Sequence, residues 1–250
     1  MRVVQNSREK FLIHGTTVHG AQLRHPARSR NQIRYYHPHG PFGESLPQRR
    51  PDATIGIVGL GVGSLAGVGQ PGQRMIFYEI DDEVERMARR HFTYLRDAKC
   101  DVVVNIGDGR LLLQKAEDRS LDLLVLDAFS SDAIPTHLLT REALNLYLRK
   151  VKADGLVVIH ISSRHVDLTR VLRGWSGLEK RRVAVFGFHP TPRDVGEGAV
   201  AAIALAIAPD PRVLQKLVGG GKWQWLGSGK EVLWSDDRTD LLAALGEIRF

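Results

Sequence analysis

Three glycines at alternate positions follow an apolar run in the first half of the chain: Gly59, Gly61 and Gly63. A second apolar run, 75–78, ends at Glu79. Glycines let the backbone turn tightly and approach a ligand closely, and an acid after the second strand accepts hydrogen bonds from ribose hydroxyls. The spacing therefore predicts a nucleotide-type cofactor site in a strand–turn–helix–strand unit.

Acidic residues also follow the next two apolar runs. Asp108 follows run 102–106, and Asp127 follows run 121–126. A turn accounts for Asp108 without any function, whereas an acid at the end of a buried strand needs a partner or a function. In an open α/β sheet, ligands bind beyond the carboxyl ends of the strands. We therefore expect both acids at the same edge as the glycine turn.

Strand-like runs alternate with helix-like segments from residue 55 onward. The predicted strands are 55–59, 75–79, 102–106, 122–127, 156–162, 182–187 and 200–207. The predicted helices are 63–69, 82–96, 109–116, 137–151, 166–179 and 211–218. The stretch around Pro190 and Pro192 is predicted to be a loop. Strands that are apolar on both faces and alternate with helices indicate a parallel sheet covered on both sides.

The order of the glycines favours one class of cofactor. A nicotinamide enzyme usually carries Gly-x-Gly-x-x-Gly, but here Gly63 is followed by Ser64 and the third strand is followed by an Asp-Gly pair at Asp108. This arrangement is typical of an S-adenosylmethionine pocket, with Glu79 on the ribose and Asp108 on the adenine amino group. The predicted fold class is thus α/β: a Rossmann-like, doubly wound sheet of the S-adenosylmethionine-dependent methyltransferase type.

Residues 1–50 differ from the rest of the chain. Short β-like runs at 10–13, 16–18 and 32–36 are separated by glycines. They predict a small N-terminal β-hairpin element that leads into a loop at 37–43. Pro47 to Pro51 is predicted to be a linker. Two domains are expected: 1–50, the β element with a substrate loop, and 51–250, the Rossmann-like catalytic domain.

Bulk composition excludes several classes. The 250 residues carry a net charge of +7, but the basic residues are scattered and match no nucleic-acid motif, so no nucleic-acid partner is expected. The single Cys100 excludes a disulfide framework and fits a reducing compartment. No apolar run approaches the ~20 residues of a membrane span, and the start of the chain lacks the apolar region of a signal peptide. A cytoplasmic location is expected.

The histidines do not have the spacing of a metal site. Five of them lie in the N-terminal segment: His14, His19, His25, His37 and His39. No His-x-x-x-His pair and no accompanying cysteine or regular acid pattern is present there, so no metal site is predicted. His160 lies in an apolar run and is interpreted as a buried core histidine.

These motifs resemble those of the spermidine synthase (polyamine aminopropyltransferase) family over roughly residues 11–164. The matching segments are Gly59 to Gly63, Glu79-Ile80-Asp81, Asp108-Gly109, Asp127 through Asp132 to Pro135, Tyr36-His37 and His14-Gly15. The sequences that begin at His14 and at Asp127 most resemble those in the soluble halves of bacterial proteins that fuse a membrane transporter to a spermidine synthase.

The resemblance implies transfer of an aminopropyl group from decarboxylated S-adenosylmethionine to a polyamine such as putrescine, without a metal. It implies Asp127 as proton acceptor and Asp132, Tyr36 and His37 at the polyamine. The donor would be bound by Gly59, Gly61, Gly63, Glu79, Asp108, Gly109 and Pro135. The expected partner is this small-molecule substrate and, as one option, a second copy of the chain in a homodimer.

Two alternatives stay open. The family usually carries an acid within the glycine motif, where this chain has Val62. That difference leaves room for an S-adenosylmethionine-dependent small-molecule methyltransferase, which shares the pocket but takes the intact donor. A catalytically inactive homologue that binds a nucleoside or polyamine without turnover is the second alternative.

Overall fold

The computed structural model describes residues 1–15, 17–46, 50–128, 135–163 and 166–245. These residues form two compact units. The first comprises Met1–Leu112 with Phe188–Ala202, and the second comprises the described residues of Leu113–Gly187 with those of Ile203–Phe250. In the described part of the chain, no helix is long and apolar enough to cross a membrane.

The described residues contain the following elements. The strands are β1 (Arg2–Gln5), β2 (Glu9–His14), β3 (Thr17–Leu23), β4 (Thr54–Val58), β5 (Arg74–Glu79), β6 (Asp101–Ile106), β7 (Leu121–Leu126), β8 (Val151–His160), β9 (Ala184–Phe188), β10 (Ala202–Ile207) and β11 (Gln224–Trp225). The helices are α1 (Pro41–Ser45), α2 (Asp82–His91), α3 (Gly109–Lys115), α4 (Arg141–Lys150), α5 (Leu168–Glu179), α6 (Pro192–Glu197) and α7 (Pro211–Gly219). Most predicted strands are confirmed to within two residues, although β8 begins five residues earlier than predicted.

The N-terminal β element is a three-stranded antiparallel sheet in the order β1-β2-β3. The prediction of a strand at 32–36 is wrong, because Arg34 adopts a left-handed φ of 60° and makes only a single bridge, to Ala199. The predicted loop at 37–43 contains the start of α1, which begins at Pro41. Of the predicted linker, residues 47–49 lie outside the described residues.

The parallel strands β4, β5 and β6 form the rest of the sheet structure in the first unit. Helix α2 follows β5, and the Asp81 side chain caps its start by accepting a hydrogen bond from the Glu83 N–H at 2.9 Å. The helix ends at His91, five residues before the predicted end at residue 96. The predicted α-helix at 63–69 is instead a 3-10 helix, Ser64–Val68. Glycines flank and interrupt this segment, and glycine disfavours α-helix.

The second unit contains strands in the order β11-β9-β10-β8-β7. β7 and β8 are parallel, but β10 pairs with β8 in the antiparallel direction and β11 with β9 likewise. The prediction of a wholly parallel sheet is therefore wrong here. Apolar runs mark burial on both faces but not strand direction, and doubly wound sheets commonly carry antiparallel strands at one side. The predicted helix 137–151 is divided into a 3-10 turn, Thr136–Leu138, and α4.

Helix α6 occupies the stretch around Pro192 that was predicted to be a loop. Thr191 and Asp194 form a capping box: the Thr191 hydroxyl accepts from the Asp194 N–H, and the Asp194 carboxylate accepts from the Thr191 N–H. Proline is favoured at the first helical position, where its missing N–H costs no hydrogen bond. The prolines therefore start a helix here instead of breaking one.

The core of the second unit is built on β7, which is buried along its whole length. Its Asp122 is the exception to an apolar sequence, and Lys152 Nζ donates to its carboxylate at 2.8 Å.

Helix α5 packs closely against the backbone of the C-terminal segment at Val232. A Cβ added at Gly174 would lie 2.4 Å from the carbonyl oxygen of Val232. Gly177 on the same helix is exposed, and its nearest neighbour would be a Glu231 side-chain oxygen at 3.4 Å.

Two alanine substitutions in α5 should change stability in opposite directions. Gly174→Ala is expected to lower the free energy of unfolding by about 1–3 kcal/mol, because the backbone of Val232 has to move. Gly177→Ala should raise the free energy of unfolding by up to about 1 kcal/mol, because alanine has the higher helix propensity. Urea unfolding measures both, and equal effects at the two positions would contradict this packing.

Candidate functional site

The turn after β4 requires its three glycines. Gly59, Gly61 and Gly63 have φ values of 98°, 54° and 80°, all in the left-handed region that favours glycine. A Cβ added at Gly61 would lie 2.3 Å from the carbonyl oxygen of His19, and one added at Gly63 would lie 2.9 Å from the Leu95 side chain. The backbone of this turn therefore lies directly against β3 and the Leu95 side chain, and its approach to a ligand stays a prediction.

Glu79 joins the glycine turn to β5. Its buried carboxylate accepts hydrogen bonds from the N–H of Leu60 at 2.8 Å and from the N–H of Asp81 at 3.0 Å. Burial raises the pKa of Glu79, although the backbone N–H donors around it act in the opposite direction. The N–H of Ile80 is a third backbone donor to this carboxylate. An ionised carboxylate has about four lone-pair sites, so these donors still leave acceptor capacity for a ligand hydroxyl.

In the first unit, the carboxyl ends of the parallel strands meet at one edge of the sheet, as predicted. The Gly59 N–H donates to the Tyr78 carbonyl at 2.8 Å, and the Gly107 N–H donates to the Glu79 carbonyl at 2.8 Å. The ends of β4, β5 and β6 are thereby aligned. Asp108 stands at this edge, where its Oδ1 accepts from the N–H of Leu111 at 2.9 Å and so caps α3.

The two remaining residues of this edge pack tightly. Gly109 is buried, and a Cβ there would lie 2.6 Å from the Val58 side chain. Val62, in the middle of the glycine turn, is 1% exposed and packs on β3, since a Cβ added at Gly20 would lie 2.7 Å from it. The spermidine synthase family usually carries an acid at this position. In this chain the position is occupied by Val62, which makes an apolar contact with the N-terminal sheet.

Asp127 lies at the carboxyl end of β7, as predicted. Leu126 pairs with Ile159 in the parallel register, so the next residues of the two strands, Asp127 and His160, are neighbours. Asp127 Oδ1 lies 2.7 Å from His160 Nδ1, and the two side chains are only 4% and 6% exposed. Burial of His160 was predicted from its apolar run; its pairing with Asp127 was not.

A chain of hydrogen bonds continues from His160. Its Nε2 lies 2.8 Å from Ser162 Oγ, which accepts the N–H of Ile203 at 2.8 Å. Because Nδ1 faces a carboxylate, which only accepts, Nδ1 carries a proton and donates it to Asp127. His160 and Ser162 thus hold the Asp127 side chain in one orientation.

The remaining predicted residues are distributed as follows. Tyr36 is buried and its hydroxyl lies 3.3 Å from that of Tyr35. His37 is buried, and its Nε2 lies 3.3 Å from Glu197 Oε2. Pro135 precedes the 3-10 turn Thr136–Leu138. Asp132 lies outside the described residues.

A cavity of about 730 Å³ opens beside His37 in the first unit. Residues that line it include Arg8, His25, Arg28, Gln32, His37 and Glu197. Most of this lining comes from the N-terminal segment, and none of these residues belongs to the glycine turn. This cavity is therefore not the predicted cofactor site.

No family model matches the chain. Over 112 residues, the chain is 32% identical to the polyamine aminopropyltransferase of Vibrio vulnificus (strain CMCP6), a stretch that covers 43% of this chain and 37% of that relative. The match therefore spans little more than a third of the length of this curated relative. It confirms the resemblance to the polyamine aminopropyltransferases that the motifs predict.

Solved structures confirm the predicted fold class. A probable spermidine synthase from Corynebacterium glutamicum ATCC 13032 superposes with a TM-score of 0.65 at 16% identity, covering 92% of this chain and 91% of that one. The spermidine synthase from Thermotoga maritima superposes with a TM-score of 0.51 at 13% identity, covering 99% and 84%. At these identities the likeness establishes the Rossmann-like fold of the chain.

A matched pair of glycine substitutions separates close contact from backbone conformation. Gly15 has a φ of 58°, similar to that of Gly61, but no atom lies within 4 Å of an added Cβ. Gly15→Ala should lower the free energy of unfolding by about 1–2 kcal/mol through the left-handed backbone alone. Gly61→Ala should lower it further, because the His19 carbonyl has to move. Denaturant unfolding of both variants tests this, and equal losses would contradict the close approach.

The raised pKa of Glu79 should make stability depend on pH. The folded state keeps the Glu79 proton to higher pH than the unfolded chain does. The associated stabilisation is therefore complete below the ordinary glutamate pKa and is lost as pH rises through the raised value. Relative to Glu79→Gln, the unmodified chain should lose unfolding free energy from acidic to neutral pH. Urea unfolding across that range measures it, with the exposed Glu117→Gln as control; a constant difference between the chain and Glu79→Gln would contradict it.

Proposed function

We propose that this protein is an aminopropyltransferase that moves an aminopropyl group from decarboxylated S-adenosylmethionine to a polyamine such as putrescine. The observation that carries the proposal is the buried Asp127 carboxylate at a strand end, in a chain that matches a polyamine aminopropyltransferase over 112 residues. The acceptor is a small molecule and no nucleic acid is involved. A homodimer stays a prediction.

Donor binding is assigned to the turn and acids of the first unit. The left-handed backbone at Gly59, Gly61 and Gly63 allows a nucleoside to approach the main chain. Glu79 supplies acceptor oxygens for the ribose hydroxyls, and Asp108 supplies one for the adenine amino group. Gly109 and Pro135 complete the donor set that the resemblance implies.

Asp127 is assigned as the proton acceptor. A free alkylammonium has a pKa near ~10, so the attacking amine has to lose a proton first. Asp127 takes that proton, and the amine lone pair forms a bond to the carbon next to the sulfonium. The carbon–sulfur bond breaks, a neutral thioether leaves, and the positive charge of the sulfonium passes to the nitrogen of the new secondary ammonium. Positioning accounts for much of the remaining rate enhancement.

His160 and Ser162 are assigned as positioning residues for Asp127. The Nδ1–H of His160 donates to one carboxylate oxygen at 2.7 Å, so the other oxygen is directed consistently toward the amine. Ser162 contacts the other ring nitrogen, Nε2, at 2.8 Å and so fixes the orientation of the His160 ring. This is the same physical logic by which a buried acid orients an imidazole in hydrolases, with the reacting group at the acid end.

Tyr36, His37 and Asp132 are assigned to the polyamine. Cationic amines need carboxylates and polar acceptors. Because the protein as a whole is basic, its polyamine site has to be locally acidic. Among the described residues, the Glu197 carboxylate lies 3.3 Å from Nε2 of His37 and supplies an acceptor beside it.

One observation favours a second candidate, an S-adenosylmethionine-dependent methyltransferase. Val62 is an apolar, buried residue in the glycine turn, so the turn has no acid at that position to meet the amino group of the aminopropyl arm. A methyltransferase would take the intact donor, whose arm also carries a carboxylate. Donor preference therefore distinguishes the two reactions.

The proposal predicts that the chain prefers the decarboxylated donor and forms spermidine from putrescine. Calorimetric titration with each donor measures the preference, and mass spectrometry of each mixture identifies the product. Asp127→Asn should lower turnover by about 10²–10⁴-fold, the usual contribution of a general base. Asp122→Asn is the matched control, because it removes a buried carboxylate from the same strand; it should lower stability but keep turnover.

A graded response is expected at His160. His160→Ala should lower turnover less than Asp127→Asn does, and His160→Asn, which keeps a donor near the Nδ1 position, should recover part of the loss. Turnover by Asp127→Asn at the level of the unmodified chain would exclude Asp127 as proton acceptor. Preference for the intact donor with methylated product would establish the methyltransferase instead, and binding without product would establish an inactive homologue.

A further inference from the structure

Two histidines and an aspartate converge in the first unit, beside the cavity. They are His37, His39 and Asp194, and one ligand atom from each lies within 4.8 Å of the other two. His39 Nδ1 is 2.8 Å from Asp194 Oδ1 although the residues are 155 positions apart in the chain. The spacing of the histidines along the sequence predicts no metal site, and that prediction took no account of Asp194.

The fold holds Asp194 rigidly. It is the third residue of α6, and its Oδ2 accepts from the Thr191 N–H at 2.9 Å and from the Thr191 hydroxyl at 2.7 Å. With His39, these contacts give the Asp194 carboxylate three hydrogen-bond partners. The capping box thus fixes one oxygen of Asp194 and aims the other, Oδ1, at His39.

His37 is held from two other sides. Its ring stacks on Phe188 at 6.1 Å between centroids and 8° between planes, and its side chain is 3% exposed. Its Nε2 faces Glu197 at 3.3 Å, and its Nδ1 accepts the His39 N–H at 3.4 Å, a hydrogen bond that a metal ion on Nδ1 would replace. An acceptor nitrogen on a histidine whose other nitrogen donates to a carboxylate is the usual state of a metal-binding imidazole.

We propose that His37, His39 and Asp194 bind a divalent transition-metal ion of the Zn²⁺ class. Imidazole nitrogens and a carboxylate oxygen are ligands that suit Zn²⁺, and three protein ligands leave a fourth position for water. With metal–ligand bonds near ~2.1 Å, tetrahedral ligands lie about 3.4 Å apart, so closure requires a shift of no more than about 1.4 Å. His39, with its side chain 59% exposed, has room to make that shift.

Glu197 completes the site from outside. One of its oxygens faces Nε2 of His37 and the other accepts from Arg193 Nε at 3.1 Å, so it orients His37 without acting as a ligand. The ion would join the turn at residues 37–39 to helix α6 and so stabilise the wall beside the cavity. His37 is also assigned to the polyamine under the proposed function, and a bound ion would take its place there. The test measures metal binding and not turnover, so the two proposals can fail separately.

The test is titration of the full chain with Zn²⁺ by calorimetry after removal of bound metal with a chelator. The unmodified chain should bind one Zn²⁺, and its melting temperature should rise. Co²⁺ used as a spectroscopic probe should give the visible absorption of a four-coordinate ion. His39→Ala should lower the Zn²⁺ affinity at least ~10-fold and abolish the Co²⁺ band; because His39 is exposed, the variant should stay folded.

His25→Ala is the matched control, since it removes an exposed histidine from the same segment and should bind Zn²⁺ as the unmodified chain does. Two results would overturn the proposal. One is the absence of stoichiometric Zn²⁺ binding by the unmodified chain. The other is equal binding by His39→Ala and the unmodified chain, which would show that the ion is held by other histidines.

Discussion

The left-handed glycine turn after β4 is the constraint on which the predicted cofactor site depends. A residue with a Cβ disfavours positive φ by about 1–2 kcal/mol, and three such positions occur within five residues. The turn is closed by the Glu79 carboxylate on the Leu60 amide. Burial works against the ionised form of that carboxylate. A buried acid with a perturbed pKa at such a turn is typical of functional sites.

The N-terminal sheet is part of this turn's environment. The carbonyl of His19 and the backbone of Gly20 pack on Gly61 and Val62, where added side-chain atoms would collide. The residue at position 62 therefore serves packing between β3 and the turn. If the donor is decarboxylated, the amino group of its aminopropyl arm has no carboxylate partner at position 62. One of the other acids assigned to the donor or the polyamine then has to pair with it.

Most of the fold was predictable because its signals are local. Apolar runs located the parallel strands, and Asp81 with its acidic neighbours located the start of α2. The errors have physical causes. Glycine around 63–69 disfavoured an α-helix, Thr191 with Asp194 turned a proline-rich stretch into one, and hydropathy does not encode the antiparallel direction of β10.

The sequence by itself determined the turn, the acids at the strand ends and the resemblance to polyamine aminopropyltransferases, because each is a short motif whose backbone geometry follows from its own residues. Only the tertiary structure decided the partners of those residues. The strand register pairs Asp127 with His160, and helix α6 carries Asp194 to His39 across 155 positions. Such contacts depend on how distant segments pack, and no local spacing records that.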